Sequence, residues 1–387
     1  MSILPPELYG PIVDHIDDVG CLKSCSLAAS ALRYPSQRLL FSCLSVDNNS
    51  YVGHLKLLSD SPHIAGFVTF LRIYPLFHDY MGKLGMDPLL QILNKLTNVR
   101  RCFVYGMWYL TSRSIFPERV QLPDFLINFL NRRSLRELSL SGFNTTSAVV
   151  MRFATTIRKL HFTSSGIDDE FDCIEAVNSV EKPVLEDLSL LNVGDIGRLL
   201  TQPQNLPCLA ALKNLSIASD TDLECARELI VATSRTLELI HFDCLNSYPS
   251  LPPKFPQLRK LRFTFDGQLV IPQVLEVCIA EAIIVLSTLA GLDTSPALRE
   301  MNIQQRFASS GFFDPLPYET LFQLLDEALA VYATPPRIRF TLVSRHEIGT
   351  PFGSFANMAR VKMPRAQSTG RLVVERYAFA PSKTFPI

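Results

Sequence analysis

One short pattern constrains this chain more than any other feature: an apolar residue, two variable residues, an apolar residue, one variable residue and another apolar residue. It recurs at Val68/Leu71/Ile73, Val99/Cys102/Val104, Leu135/Leu138/Leu140, Ile157/Leu160/Phe162, Leu185/Leu188/Leu190, Leu212/Leu215/Ile217, Leu237/Ile240/Phe242, Leu258/Leu261/Phe263 and Leu298/Met301/Ile303. The last two apolar positions are two apart and share one face of a strand, while the first leads the chain in from a loop. Copies stacked side by side make a parallel sheet with one buried face and one polar face. The outward positions include Arg136, Arg158, His161, Lys213, His241, Arg259 and Arg262, which we expect to form a partner-binding surface of varied charge.

Between the copies, residues 87–96, 123–131, 223–233 and 319–332 carry apolar residues at helical spacing. Strand alternating with helix predicts an α/β solenoid, with right-handed crossovers laying the helices on one side of the sheet. From Leu135 to Leu258 the copies begin 22, 28, 27, 25 and 21 residues apart, and wider intervals of 31 and 36 before this block and 40 after it leave room for insertions. These spacings resemble those of leucine-rich repeats. The asparagine of the regular form is mostly missing, so an irregular leucine-rich-repeat-like array with parallel strands is expected over residues 47–345. Residues 337–343 and 371–377 read as strands and 349–354 as a loop. The segment 346–387 is expected to close the end of the array.

The first 46 residues read differently. Pro5, Pro6 and Glu7 suit a first helical turn, and Leu8, Ile12 and Ile16 then recur every four residues with Val13 beside them. A second helix over residues 21–29 carries Leu22, Cys25 and Leu27, and a third is expected to start at Pro35 ahead of Leu39, Leu40, Phe41 and Leu44. Three short helices enclose too little interior to bury all these side chains. The surplus apolar face either caps the array or docks a partner.

The run Leu4-Pro5-Pro6-Glu7-Leu8, followed by Ile12, Ile16, Leu22, Cys25-Ser26-Leu27 and Ser36-Gln37-Arg38-Leu39-Leu40-Phe41, is similar to the F-box. It looks most like the divergent fungal-type form that precedes irregular leucine-rich repeats. That resemblance implies a three-helix unit binding the Skp-type adaptor of an SCF-type cullin–RING ubiquitin ligase, with the repeats selecting a protein for ubiquitination. Carried over by position, Leu4, Pro5, Leu8, Ile12, Ile16, Leu39, Leu40 and Phe41 would form or support the adaptor face. Where many members carry a Trp, this chain reads Ala28-Ala29-Ser30-Ala31-Leu32, and its one Trp is Trp108.

Charge and chemistry narrow the partners. Lys plus Arg and Asp plus Glu both number 37, so nothing in the balance calls for nucleic acid. Arg132-Arg133, with Arg100-Arg101 and the Arg259/Lys260/Arg262 trio, offers a basic patch suited to charge-complementary protein contact. The nine scattered cysteines suggest reduced thiols in an intracellular protein, cytoplasmic or nuclear. Glu7 and Asp14 interrupt any secretory leader, and Glu276 and Glu281 interrupt the apolar run 274–292, which is expected to be a buried helix with one wet edge and no membrane span.

No phosphate loop, dinucleotide fingerprint, nucleophile elbow or zincin helix occurs, and the seven histidines are dispersed. Cys21 and Cys25, four apart on a helix, are expected to pack and not to hold zinc. His161 and His241 occupy the same outward slot of two repeats, read as part of a polar face. No cofactor, metal or catalytic residue is expected. The sequence thus points first to a ubiquitin-ligase substrate receptor. The alternatives are a repeat scaffold without a ubiquitin role and, least supported, an enzyme built from dispersed residues.

Overall fold

The computed structural model describes residues 5–47, 49–74, 86–106, 120–132, 135–168, 183–218, 223–243, 248–252, 254–266, 282, 284–285, 297–307, 316–330, 335–344 and 350–378. Leu4, Arg133 and most of 274–292 lie outside them. Of that last stretch, Ala282 and Val285 are buried and Ile284 is exposed.

The chain divides into two units, Met1–Asp169 and Glu170–Pro386. In the first, β1 (Cys43–Val46), β2 (Phe70–Ile73), β3 (Arg101–Tyr105), β5 (Glu137–Ser141) and β7 (Lys159–Thr163) pair in parallel, each with the next. The short strands β4 (Val120–Gln121), β6 (Phe143–Thr145) and β8 (Gly166–Ile167) form a second small parallel sheet. Helices α1 (Tyr9–Asp14), α2 (Val19–Ala28) and α3 (Ser30–Leu40) precede β1, and α4 (Tyr51–Asp60), α5 (Met86–Lys95), α6 (Asp124–Leu130) and α7 (Ser147–Thr156) connect the strands.

In the second unit, β9 (Asp187–Leu191), β10 (Asn214–Ala218), β11 (Leu239–Asp243), β12 (Lys260–Asp266), β13 (Glu300–Phe307), β14 (Arg337–Ser344) and β15 (Leu372–Ala378) pair in parallel in chain order. Its helices include α8 (Gly194–Thr201), α9 (Leu223–Thr233), Leu316–Leu329, Thr350–Lys362 and Pro364–Ser368.

The repeat pattern explains the core. In all nine copies the three apolar positions are buried, none more than 5% exposed. Each such Leu, Ile or Phe contributes roughly 1.5–3 kcal/mol of transfer free energy, so the pattern alone anchors every strand to its neighbours. Two residues beyond the last apolar position the chain must turn away from the sheet. Gly142, Ser164 and Asn192 do so at φ values of 76°, 48° and 57°, in the left-handed region that Gly and Asn tolerate best.

Two local expectations are corrected. Pro35 does not begin the third helix; it lies inside α3, with its ring buried. Its missing N–H removes the helix bond to the Ala31 carbonyl, and Ala31 is exposed, so water can serve that group. Residues 350–354 belong to the helix Thr350–Lys362, not to a loop. Phe355, Ala356, Ala359 and Met363 put a helical apolar stripe against the core, which outweighs the cost of an open Gly353. This helix leads into β15, which pairs with β14 from Ile338↔Leu372 to Ser344↔Ala378 and extends the strand–helix alternation to residue 378.

Helix α8 approaches α9 through Gly197, where an added Cβ would lie 2.2 Å from Cys225 Sγ. Gly197→Ala is expected to cost about 1–2 kcal/mol by overpacking. Combining it with Cys225→Ala should recover part of that loss in urea unfolding, a favourable coupling that separates the clash from any change in helix propensity.

Candidate functional site

Two surfaces answer to the residues singled out in the sequence. The first is the helical unit ahead of β1. Asp18 caps α2 by accepting the Cys21 N–H at 2.6 Å. Arg38 of α3 pairs with Asp14 of α1 at 2.7 Å, and Val13 and Leu22 are buried. One side of α3 packs on the array: Tyr34 meets Phe67 edge-to-face at 5.1 Å, and His63 lies 3.4 Å from the Gln37 side chain.

The other side of this unit stays open. Leu8 and Ile12, four residues apart, are 44% and 45% exposed, and Leu27 is 84% exposed. Pro5 is exposed as well, while Ile16, Leu39, Leu40 and Phe41 are half-buried. The residues carried over from the F-box resemblance are therefore a mixture of open side chains and side chains that support them. The sequence places Leu27 with Leu22 and Cys25 on one helix without marking it as open; its exposure follows from α2 offering Leu22, not Leu27, to the interior.

The second surface is the outward edge of the strands. In the first unit, Thr69, Arg100, Arg101, Arg136, Glu137, Arg158 and Lys159 line a pocket of about 330 Å³. Arg136 and Arg158, expected on the partner face, are thus brought together with three further cations. His161 sits half-buried on β7, opposite Ser139 of β5 in register.

The remaining expected partner residues belong to the second unit. Lys213 is exposed. Arg259 reaches Glu238 at 3.7 Å, and Lys260 and Arg339 both reach Glu300 at 3.6 Å. Arg262 is half-buried and in register with His241. Carboxylates thus sit beside most of these cations.

His241 shares Nδ1 with Ser216 Oγ at 3.0 Å and Nε2 with Thr264 Oγ1 at 2.8 Å, one hydroxyl donating to the bare nitrogen and the other accepting from the N–H. Burial, opposed by Asp243 and reinforced by Arg262 and Arg306, pushes its pKa down to about 4. The imidazole is therefore neutral near pH 7 and offers a partner hydrogen bonding, not charge. His161 and His241 lie in different units, and among the described residues no three His, Cys, Asp or Glu side chains gather as a metal site.

The thiols are not activated for nucleophilic chemistry where a shift is resolved. The hydrogen bond and charge of Asp18 raise the pKa of Cys21, and burial raises those of Cys43 and Cys102 and takes Cys208 up to about 12. Among the described residues, no helix is long and apolar enough to cross a membrane. No protein-family model matches this chain, and no curated protein matches it.

Proposed function

We propose that this chain is the substrate receptor of an SCF-type cullin–RING ubiquitin ligase inside the cell, its N-terminal helices holding a Skp-type adaptor and its strands' outward face holding a target protein. The observation that carries the reading is the open apolar face of the helical unit. Leu8 and Ile12 remain exposed although α3 of the same unit is docked on the array through Tyr34 and Gln37. A unit that served only to close the array would gain by burying those side chains. The resemblance of the same residues to the F-box names the partner.

Purified full-length chain should retain a purified Skp-type adaptor in a pull-down, and Leu8→Asp with Ile12→Asp should weaken that retention at least tenfold. Exposed positions of this kind tolerate substitution with little effect on folding, so circular dichroism should show both proteins equally folded. At roughly 1.5–3 kcal/mol per buried anchor, losing two exceeds the 1.4 kcal/mol of a tenfold change. Failure of the folded wild type to retain the adaptor sinks the proposal. The packing of Tyr34 on Phe67 favours what then remains, a repeat scaffold with a helical cap.

A further inference from the structure

Where the chain enters its strands, the first variable position of each repeat builds a backbone ladder. The Arg100 N–H donates to the Thr69 carbonyl at 2.9 Å, the Arg136 N–H to the Arg100 carbonyl at 2.8 Å, and the Arg158 N–H to the Arg136 carbonyl at 3.1 Å. Neighbouring rungs of a sheet stand about 4.8 Å apart, so three guanidinium side chains leave from three successive rungs. At the next position Arg101 and Lys159 flank Glu137 in register. The pocket these residues line holds five cations and one carboxylate.

In the second unit the ladder at the same repeat position runs Glu186, Lys213, Glu238, Arg259 and Arg299, each N–H after the first donating to the carbonyl of the residue before it. Its first four charges alternate and its last two are arginines; Glu238 lies 3.7 Å from Arg259, and at the next position Glu300 stands in register between Lys260 and Arg337. Like charges directly opposite one another across a ladder work against folding, and opposite charges support it. Most rungs of that row face an opposite charge; Arg100, Arg136 and Arg158 set three like charges in succession, a field that an external anion can neutralise.

Part of the pocket is also positioned in advance. The Arg101 guanidinium lies 4.5 Å from the centre of the Phe70 ring, with Arg72 4.7 Å from the same centre. A side chain already held by a cation–π contact gives up less freedom when a ligand arrives.

We propose that this pocket binds a phosphate group, carried either by a phosphorylated protein segment or by a free phosphate compound. Guanidinium forks present paired N–H donors that match phosphate oxygens, and a dianion answers five cations better than a single carboxylate does. The chain's balanced overall charge does not provide the extended basic track that a nucleic acid backbone uses. The inference stands apart from the adaptor reading, because none of these residues belongs to the first 46.

The test titrates the full chain, at physiological salt, with inorganic pyrophosphate and with degenerate peptide libraries fixed on phosphoserine or on serine. Phosphate-dependent binding is expected. It should weaken at least tenfold in Arg136→Glu and several-fold in the milder Arg136→Gln, and remain unchanged in Arg227→Gln on the exposed side of α9, with circular dichroism matching throughout. Preference for the phosphoserine library, with competition by pyrophosphate, assigns the ligand to a protein segment; pyrophosphate binding at least as tightly assigns it to a free compound. Absence of binding to both phosphate probes, equal binding of the serine library, indifference to the Arg136 substitutions, or tighter binding of single-stranded RNA with a steep salt dependence overturns the proposal.

Discussion

Phe322→Ala is expected to destabilise the second unit by about 3–5 kcal/mol, the range for deleting a buried phenyl ring that its surroundings cannot refill. Phe322 is fully buried on the helix Leu316–Leu329. Its ring meets Phe340 of β14 edge-to-face at 4.8 Å and Phe355 of the helix Thr350–Lys362 at 5.4 Å, and Tyr318 lies beside it at 6.3 Å. Edge-to-face pairs of this kind add about 0.5–1.5 kcal/mol each beyond the area they bury. One ring therefore joins the helix that precedes β14, β14 itself and the helix that follows it.

The surrounding polar contacts cannot make up the loss. Tyr318 donates its hydroxyl hydrogen to the Gln305 side chain on β13, and Asp326 accepts the N–H groups of Arg365 and Ala366 at 3.2 and 2.9 Å. These bonds orient the same helices but fill no volume. Urea unfolding should show the shift, and amide exchange should accelerate most in β13, β14 and β15. Val361→Ala, at an exposed position of the helix Thr350–Lys362, should change stability by less than about 0.5 kcal/mol. Equal effects of the two substitutions would refute this account of how the last strands are held.

The strands of this fold are legible in the sequence because their signal is local: two apolar residues at a spacing of two, led in by a third, decide the buried face within six residues. The helix Thr350–Lys362 was less legible, since Gly349, Gly353 and Pro351 argue for a loop, and only packing against Phe322 and Phe340 overrides them. The basic pocket is less legible still. Arg100 and Arg136 are separated by 36 residues, Arg136 and Arg158 by 22, and nothing local says that they are neighbours. Register makes them so. The open face of Leu8 and Ile12 lies between these cases: their periodicity is local, but which side α3 presents to the array depends on Phe67, which lies beyond that unit.

Register also creates the environment of His241, and with it a dependence of stability on pH. Arg306, 63 residues further along the chain, reaches Asp243 at 3.2 Å, so the carboxylate that would favour a charged imidazole is itself occupied. The folded protein then holds His241 neutral, with its pKa at about 4, while in the unfolded chain the same ring titrates near 6.5. A depressed folded pKa means that the unfolded state takes the proton first. The stabilising contribution is full above pH 6.5 and is lost as the pH falls from there toward 4.

One proton across that window is worth about 2 kcal/mol between pH 7 and pH 5, and about 3 kcal/mol once titration is complete. Urea midpoints measured over this range should fall accordingly, and His241→Gln should flatten much of the slope. Some slope should persist from His54, whose pKa is lowered by burial against the opposing effect of the Ser45 carbonyl, 2.9 Å from its Nε2, and of Asp47. The two contributions separate by location, because His54 belongs to the first unit and His241 to the second. Acid-induced acceleration of amide exchange in β10, β11 and β12 should disappear in His241→Gln while that in β1 and α4 remains. A slope in β10–β12 unchanged by the substitution would show that another group carries it and that the Ser216–His241–Thr264 row plays no part in the acid sensitivity.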